Sequence, residues 1–254
     1  MVEMLEPQLI EPGWSAPSAV CAFSTTRIGG CSTGPYSGFN LATHVGDNTE
    51  RVETNRRWLA RHLKLPSDPQ WLAQNHGSEV LYKDSAEVLW PTPVADALWT
   101  DQPNVVLSIM TADCLPVLIA SRCGQVVAAI HGGWRGLASG ILQKSVASLP
   151  LPARELIAWL GPAIGQQHFE VGNEVRKIFV DQDDDFTLCF MSSTTDANKC
   201  YADIFSIAQV CLKQSGVTTV VSSNLCTVSD ERLFFSHRRD RGKSGRMATL
   251  IWRQ

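Results

Sequence analysis

The sequence predicts an α+β fold, with mixed, largely antiparallel sheets flanked by helices. Strand-like apolar runs outnumber helical stretches and interleave with them irregularly, where a doubly wound parallel sheet needs regular alternation. Two of those runs are joined by Ser121-Arg122-Cys123-Gly124, which reads as a hairpin turn.

Taken in chain order, the strand-like runs fall at residues 19–25, 105–110, 117–120, 125–130, 156–160, 218–222, 233–236 and 248–252. A first helix is expected over residues 49–63, where Val52, Trp58, Leu59 and Leu63 recur at helical spacing. A second opens after a glycine-rich turn and covers residues 137–148, and a third covers 173–180. The fourth, over residues 202–214, has Asp203 to serve its start and Gly216 to suit its end. Residues 91–103 and 181–199 read as loop insertions. With no long linker and no fixed repeat, the expectation is one domain over residues 1–254.

The 254 residues, 44% of them hydrophobic, supply ample core for a globular protein. A net charge of −3 with no long basic run argues against nucleic-acid binding. The one dense cationic stretch, Arg238, Arg239, Arg241, Lys243 and Arg246, suits a local anion site instead. Residues 1–7 carry Glu3 and Glu6 and lack a secretory design, and no apolar window reaches the roughly 18 residues of a membrane span, so a cytoplasmic protein without membrane contact is expected. The eight cysteines show no paired framework, and most read as reduced, buried small hydrophobes.

Cys114 is the exception. Thr111-Ala112-Asp113-Cys114 is followed after the hairpin by His131-Gly132-Gly133-Trp134-Arg135-Gly136, and Gln74-Asn75-His76-Gly77 ends another apolar stretch. If the hairpin loop is Arg122-Cys123 or Ser121 to Gly124, antiparallel pairing sets Cys114 opposite His131 on one face; a three-residue loop sets them on opposite faces. His76, Cys114 and His131 can together ligate zinc with one position left open, the mark of a catalytic site. The same cysteine and histidine suit a thiolate–imidazolium dyad, or a buried thiol beside a hydrogen-bonded ring.

Two glycine-rich segments offer anion sites. In Thr25-Thr26-Arg27-Ile28-Gly29-Gly30, loop amides and the Arg27 guanidinium can converge on phosphate, and Gly132 to Gly136, with Arg135, precedes a helix. Either can equally be a tight turn with a surface arginine. His44 can face a pocket or bond its own loop. Asp113 can orient a ligand although strand alternation turns it away, and Glu170 can act on protons or cap a helix. His62 and His168 read as structural.

Together the segments Phe23-Ser24-Thr25-Thr26-Arg27-Ile28-Gly29-Gly30, 36–47, 74–77, 111–116, 131–136, 160–165, 169–172 and 234–247 resemble the YfiH-like laccase-domain family, in order along nearly the whole chain. The resemblance implies a zinc-binding purine nucleoside phosphorylase that also deaminates adenosine and cleaves methylthioadenosine, on a fold likened to a bacterial toxin with a Cys–His deamidase site. It places the metal ligands on His76, Cys114 and His131. An older label for the family is polyphenol oxidase or laccase, and some members are implicated in peptidoglycan precursor editing.

The residues speak against the laccase label, because none of the six histidines lies within two positions of another and no Cys–His copper cluster appears. Copper can still enter a thiolate and two imidazoles. In the leading reading one zinc site carries phosphorolysis and deamination, with Asp113 or Glu170 as acid/base, Arg27 and Arg238 or Arg239 on phosphate, and Asn40 and His44 on the nucleoside. A second reading makes Cys114 the nucleophile and His131 the base of an amide hydrolase acting on a cell-wall precursor. A third is a non-catalytic zinc module, with Cys31 or Cys123 as fourth ligand. A monomer is expected.

Overall fold

The computed structural model describes residues 6–254, so most of the amino-terminal stretch read for a signal, residues 1–5, lies outside the described residues. In chain order the elements are β1 (Leu9–Ile10), β2 (Val20–Thr25), α1 (Thr49–His62), β3 (Val80–Tyr82), β4 (Ala97–Thr100), β5 (Leu107–Thr111), β6 (Leu115–Ser121) and β7 (Val127–Gly132). They continue as α2 (Trp134–Ala138), α3 (Ile141–Ser148), β8 (Leu156–Leu160), β9 (Glu170–Gly172), α4 (Asn173–Val180), β10 (Phe190–Ser192), β11 (Lys199–Ala202), α5 (Ile204–Gln214), β12 (Thr219–Ser222) and β13 (Met247–Arg253).

The expected α+β class with mixed, largely antiparallel sheets is what forms. A six-stranded sheet runs β12-β8-β6-β7-β4-β3, antiparallel inside and parallel at its two outer pairs. A four-stranded antiparallel sheet runs β1-β2-β13-β5, and a small three-stranded one runs β10-β11-β9.

Side-chain alternation sorts the large sheet into two faces. Val117 and Ile119 of β6, with Ala128 and Ile130 of β7, pack against α3 and α5 through Leu142, Val146, Ile207 and Cys211. Leu118, Ala120, Val127 and Ala129 face the other way, onto Leu107, Ile109 and Ile251 of the four-stranded sheet. That sheet in turn buries Phe23 and Leu250 against Phe39 and Leu59, the latter on α1. The layers are therefore helix, sheet, sheet, helix. Burial on both faces explains why β6 reads as an unbroken apolar run.

Helix ends follow local chemistry. The Asn48 side chain accepts the Arg51 amide at 3.0 Å to start α1, and Asp203 accepts the amides of Phe205 and Ser206 to start α5. Gly216 follows α5 with φ +85°, as its place in the sequence suggested.

Five expectations are corrected. The helix read over 137–148 starts earlier, at Trp134, and is broken at Gly140, whose φ of +79° ends α2 and lets α3 set off anew. The run 233–236 is no strand: the amides of Leu233 and Phe234 turn back to the Asp230 carbonyl, at 3.2 and 3.0 Å, and so are not available to a neighbouring strand. The stretch 91–103 is no mere loop, since it contains β4, paired on both sides within the large sheet. Likewise 181–199 holds β10.

The fifth correction concerns register. Pro116, not Cys114, pairs with His131, because the hairpin loop is Arg122 to Gln125, one residue later than expected. Moving a hairpin loop by one residue moves the pairing by two, and a shift of two keeps the same face. Cys114 stands one residue before β6, and its sulfur still comes together with the His131 ring.

Candidate metal centre

The site forms where the chain crosses from one sheet to the other. β5 ends at Thr111 in the four-stranded sheet and β6 begins at Leu115 in the six-stranded one, so Ala112, Asp113 and Cys114 make the corner between them. Asp113 takes φ +89°, costly for a residue with a side chain, and its carboxylate anchors the bend. It accepts hydrogen bonds from Thr227 Oγ1 at 2.6 Å, Ser236 Oγ at 3.1 Å and the Arg238 amide at 2.7 Å.

His131 stands near the end of β7, with Asp96 at the start of the neighbouring strand. Its amide donates to the Asp96 carbonyl at 2.7 Å, and its Nδ1 donates to Asp96 Oδ1 at 2.7 Å. The fully buried Asp96 carboxylate also accepts the amides of Asn75 at 3.2 Å, His76 at 3.0 Å and Gly77 at 2.8 Å. Those three bonds fold the loop 75–77 around one oxygen pair and hold His76 at φ +62°. Burial pushes the Asp96 carboxyl up, but the His131 ring and the backbone amides outweigh it and hold the group below the usual carboxylate range.

The ligating atoms of His76, Cys114 and His131 all lie within 4.8 Å of one another. Three features suit them to a divalent ion. Asp96 takes the Nδ1 proton of His131, which turns Nε2 toward the cluster, the usual support of a metal-bound imidazole. Gly133 leaves open the space between the three, since a Cβ there would lie 3.0 Å from His76 Cδ2, 3.3 Å from Cys114 Sγ and 3.5 Å from His131 Cε1. The donor set of two imidazoles and a thiol matches zinc and also admits copper. Burial raises the Cys114 thiol, yet the charge and contact of His131 and then of His76 bring it down to about 6. Burial lowers His131, while the Cys114 thiolate and Asp96 raise it to about 9.

The cluster lies on the wall of a cavity of about 400 Å³. Of the residues singled out in the sequence, His44, Asp113, Arg135 and Arg238 also line it. Others do not. Asn40 is fully buried, its side chain bonded to Ala42, Asp47 and the Arg246 amide. Arg27 donates to the carbonyls of Glu231 and Ser37 and lies over the Phe235 ring. Arg239 is bound to Asp240 and to the carbonyls of Thr227 and Phe234. Glu170 pairs with Lys199 at 2.8 Å. No fourth protein ligand joins the cluster among the described residues: Cys31 contacts Asn55 and Cys123 is exposed near the hairpin tip. His62 stacks on Trp58 and His168 bonds Ser229, both structural as read.

The sequence reading missed Asp96, Trp134, Phe169 and His237 at this site and left Arg246 undistinguished within its basic stretch. For Asp96 the available signal was a lone carboxylate inside the apolar run Val94-Ala95-Asp96-Ala97-Leu98.

Fold and cluster define an α+β protein with a two-histidine, one-cysteine centre at the junction of two sheets. Residues 21–254 match the family model described as "Multi-copper polyphenol oxidoreductase laccase", and the chain belongs to that family. It is similar to the protein named "Purine nucleoside phosphorylase YfiH" of Escherichia coli strain K12, with 44% identity over 245 residues that cover 96% of this chain and 98% of the relative. The crystal structure of a Neisseria meningitidis protein superposes with a TM-score of 0.91 at 43% identity, covering 97% of this chain and 99% of that one. The Bacillus licheniformis hypothetical protein YfiH gives 0.84 at 30% identity, covering 92% and 93%, so the expected YfiH-like fold is the one observed.

Proposed function

We propose that the protein is a zinc-dependent purine nucleoside phosphorylase that also deaminates adenosine and cleaves methylthioadenosine at the same site, acting as a cytoplasmic monomer on small molecules. The observation that carries this reading is the His76, Cys114 and His131 cluster on a cavity whose walls combine aromatic surface, Trp134 and Phe169, with the guanidinium groups of Arg135, Arg238 and Arg246. Aromatic surface suits a purine, and cations suit phosphate. The curated relatives similar to this chain carry the name of that activity.

In phosphorolysis a phosphate oxygen forms a bond to the ribose anomeric carbon as the bond from that carbon to the purine nitrogen breaks. The electron pair leaves with the purine, which takes up a proton from solvent. In deamination, water adds to the carbon bearing the amino group and ammonia departs. A divalent ion held by His76, Cys114 and His131 supplies Lewis acidity and lowers the pKa of water there. The arginines hold the anion, and Trp134 and Phe169 exclude water from the purine. Of the two proposed acid/base carboxylates, Asp113 is the one on the cavity wall, and with three donors on its oxygens it acts as a positioning residue for Arg238 and for the Cys114 corner.

The test is metal analysis of the purified protein together with product analysis on adenosine. Phosphate should yield adenine and ribose 1-phosphate, and omission of phosphate should leave inosine and ammonia; full turnover in metal-free protein overturns the reading. A second reading is supported by the line Asp96, His131, Cys114, which orders an acid, a base and a thiol as in Cys–His amide hydrolases. There a chelator leaves activity intact and a thiol-alkylating reagent abolishes it. Multi-copper oxidation calls for several ligand sets, whereas the described residues gather one cluster of three.

A further inference from the structure

We propose that Arg246 is the seat of the phosphate co-substrate, with His44 beside it and Arg56 behind it. The inference rests on the phosphorolytic reading above and assigns the anion a place that the glycine-rich motifs did not.

Arg246 is held from both ends of its residue. Its amide donates to Asn40 Oδ1 at 2.9 Å, its carbonyl accepts the Leu41 amide at 3.3 Å, and its Nη1 donates to the carbonyls of Ser244 at 2.8 Å and Gly245 at 2.9 Å. Nε and Nη2 have no protein acceptor among the described residues, and the side chain lines the same cavity as the His76, Cys114 and His131 cluster. Asn40, buried and bonded on every side, thus serves substrate binding only through Arg246.

No carboxylate is bonded to the charge. Among the described residues neither Arg246 nor Arg56 forms an ion pair with a carboxylate. Arg56 is fixed by its Nε bond to the Leu41 carbonyl at 2.9 Å, stacks 4.1 Å over the Trp71 ring, and reaches the sulfur of Met110, a cavity residue. Burial pushes Arg56 down to about 10 against the pull of Glu53, and lowers Arg246 against that of Cys114 and Asp113, so for both guanidinium groups the loss of water outweighs the negative charge nearby. Burial and the two arginines together depress His44. A buried cation without a partner is unfavourable until an anion joins it, and a guanidinium fork fits phosphate oxygens.

The competing arginines are placed differently. Arg27 and Arg239 lie off the cavity, and Arg238 is exposed, so water already solvates it. Arg246 alone combines partial burial, free donors and proximity to Cys114, whose charge it feels. A phosphate there stands next to the cluster that faces the nucleoside.

The test compares wild type with Arg246→Met, Arg246→Lys and Arg56→Met by two readouts: steady-state phosphorolysis, and the rise in Tm on adding inorganic phosphate to the purified protein. Arg246→Met should raise KM for phosphate about tenfold or more with a much smaller change in KM for nucleoside, and should abolish the phosphate-induced rise in Tm. Arg246→Lys should retain part of both, and Arg56→Met should fall between. A phosphate KM within about twofold of wild type in folded Arg246→Met overturns the assignment. If wild type shows no phosphate-dependent turnover, the phosphorylase reading fails, and the Tm readout still decides the seat: a rise lost in Arg246→Met upholds it, and a rise retained there or absent in wild type overturns it.

Discussion

Asp96 Oδ1 sits 2.7 Å from His131 Nδ1, and the same carboxylate carries the amide of His76, so one buried acid fixes the ring of one candidate ligand and the backbone of another. Replacing it by its amide preserves volume and removes the charge. Asp96→Asn should lower zinc affinity about 10–100-fold, measured by competition with a chromophoric chelator. Unchanged affinity would show that His131 and His76 hold their geometry without it.

Removing a ligand should act on metal and turnover together. His76→Ala is expected to abolish stoichiometric zinc in the purified protein and both adenosine-consuming activities, read by elemental analysis and chromatography of products. Activity at wild-type level in metal-free His76→Ala protein would defeat the metal-centred mechanism.

Gly133 is demanded by space rather than by conformation, since its φ of −69° is open to any residue. Gly133→Ala puts a methyl group 3.0 Å from His76 Cδ2 and 3.3 Å from Cys114 Sγ. The variant should lose metal affinity while the metal-free protein unfolds close to the wild-type temperature. A drop in Tm of the metal-free form as large as that of the zinc-loaded form would locate the damage in the core instead.

Asn40→Ala leaves the Arg246 amide and Asp47 without their partner inside the fold. A cost of about 1–3 kcal/mol is expected by urea titration, accompanied by a weaker response to phosphate. Full stability would remove Asn40 from the support of Arg246.

The thiols divide by environment. Cys123 is exposed and held below its ordinary value by the Ser121 hydroxyl, so it should be alkylated first; burial pushes Cys189 up to about 12 and Cys211 up to about 11, so both should react only on unfolding. Their folded values lie above the ordinary 9.0, so the stability they contribute is present below that pH and declines as pH climbs toward 11 and 12. Mass-spectrometric mapping of alkylation and urea titrations at rising pH check both; early labelling of Cys211 would contradict its burial.

Elements with one strong periodicity were legible from the chain: α4 and β8 have the expected limits, because each pairs a clear apolar pattern with clear ends. The short strands β3, β4, β9 and β11 were not, since three or four residues carry too little pattern and owe their pairing to distant partners. The three candidate ligands were legible as a set through the family resemblance, because a buried thiol beside a hydrogen-bonded ring explains the same residues when they are taken alone. Their support was not: Asp96 acts across a strand pair, and Asn40 meets Arg246 from 206 positions away. Arg27 and Arg239 misled because a guanidinium near glycines looks alike whether it meets a ligand or a carbonyl.

β13 is the last strand in chain order, yet it lies inside its sheet, bonded to β2 on one side and β5 on the other. During synthesis the earlier strands therefore have to wait with an unfilled slot until residues 247–253 leave the ribosome. Arg246, the corner at Cys114 and the layer that shelters His131 all abut that slot. A nascent chain can build much of its secondary structure early, but its chemistry awaits the insertion of β13.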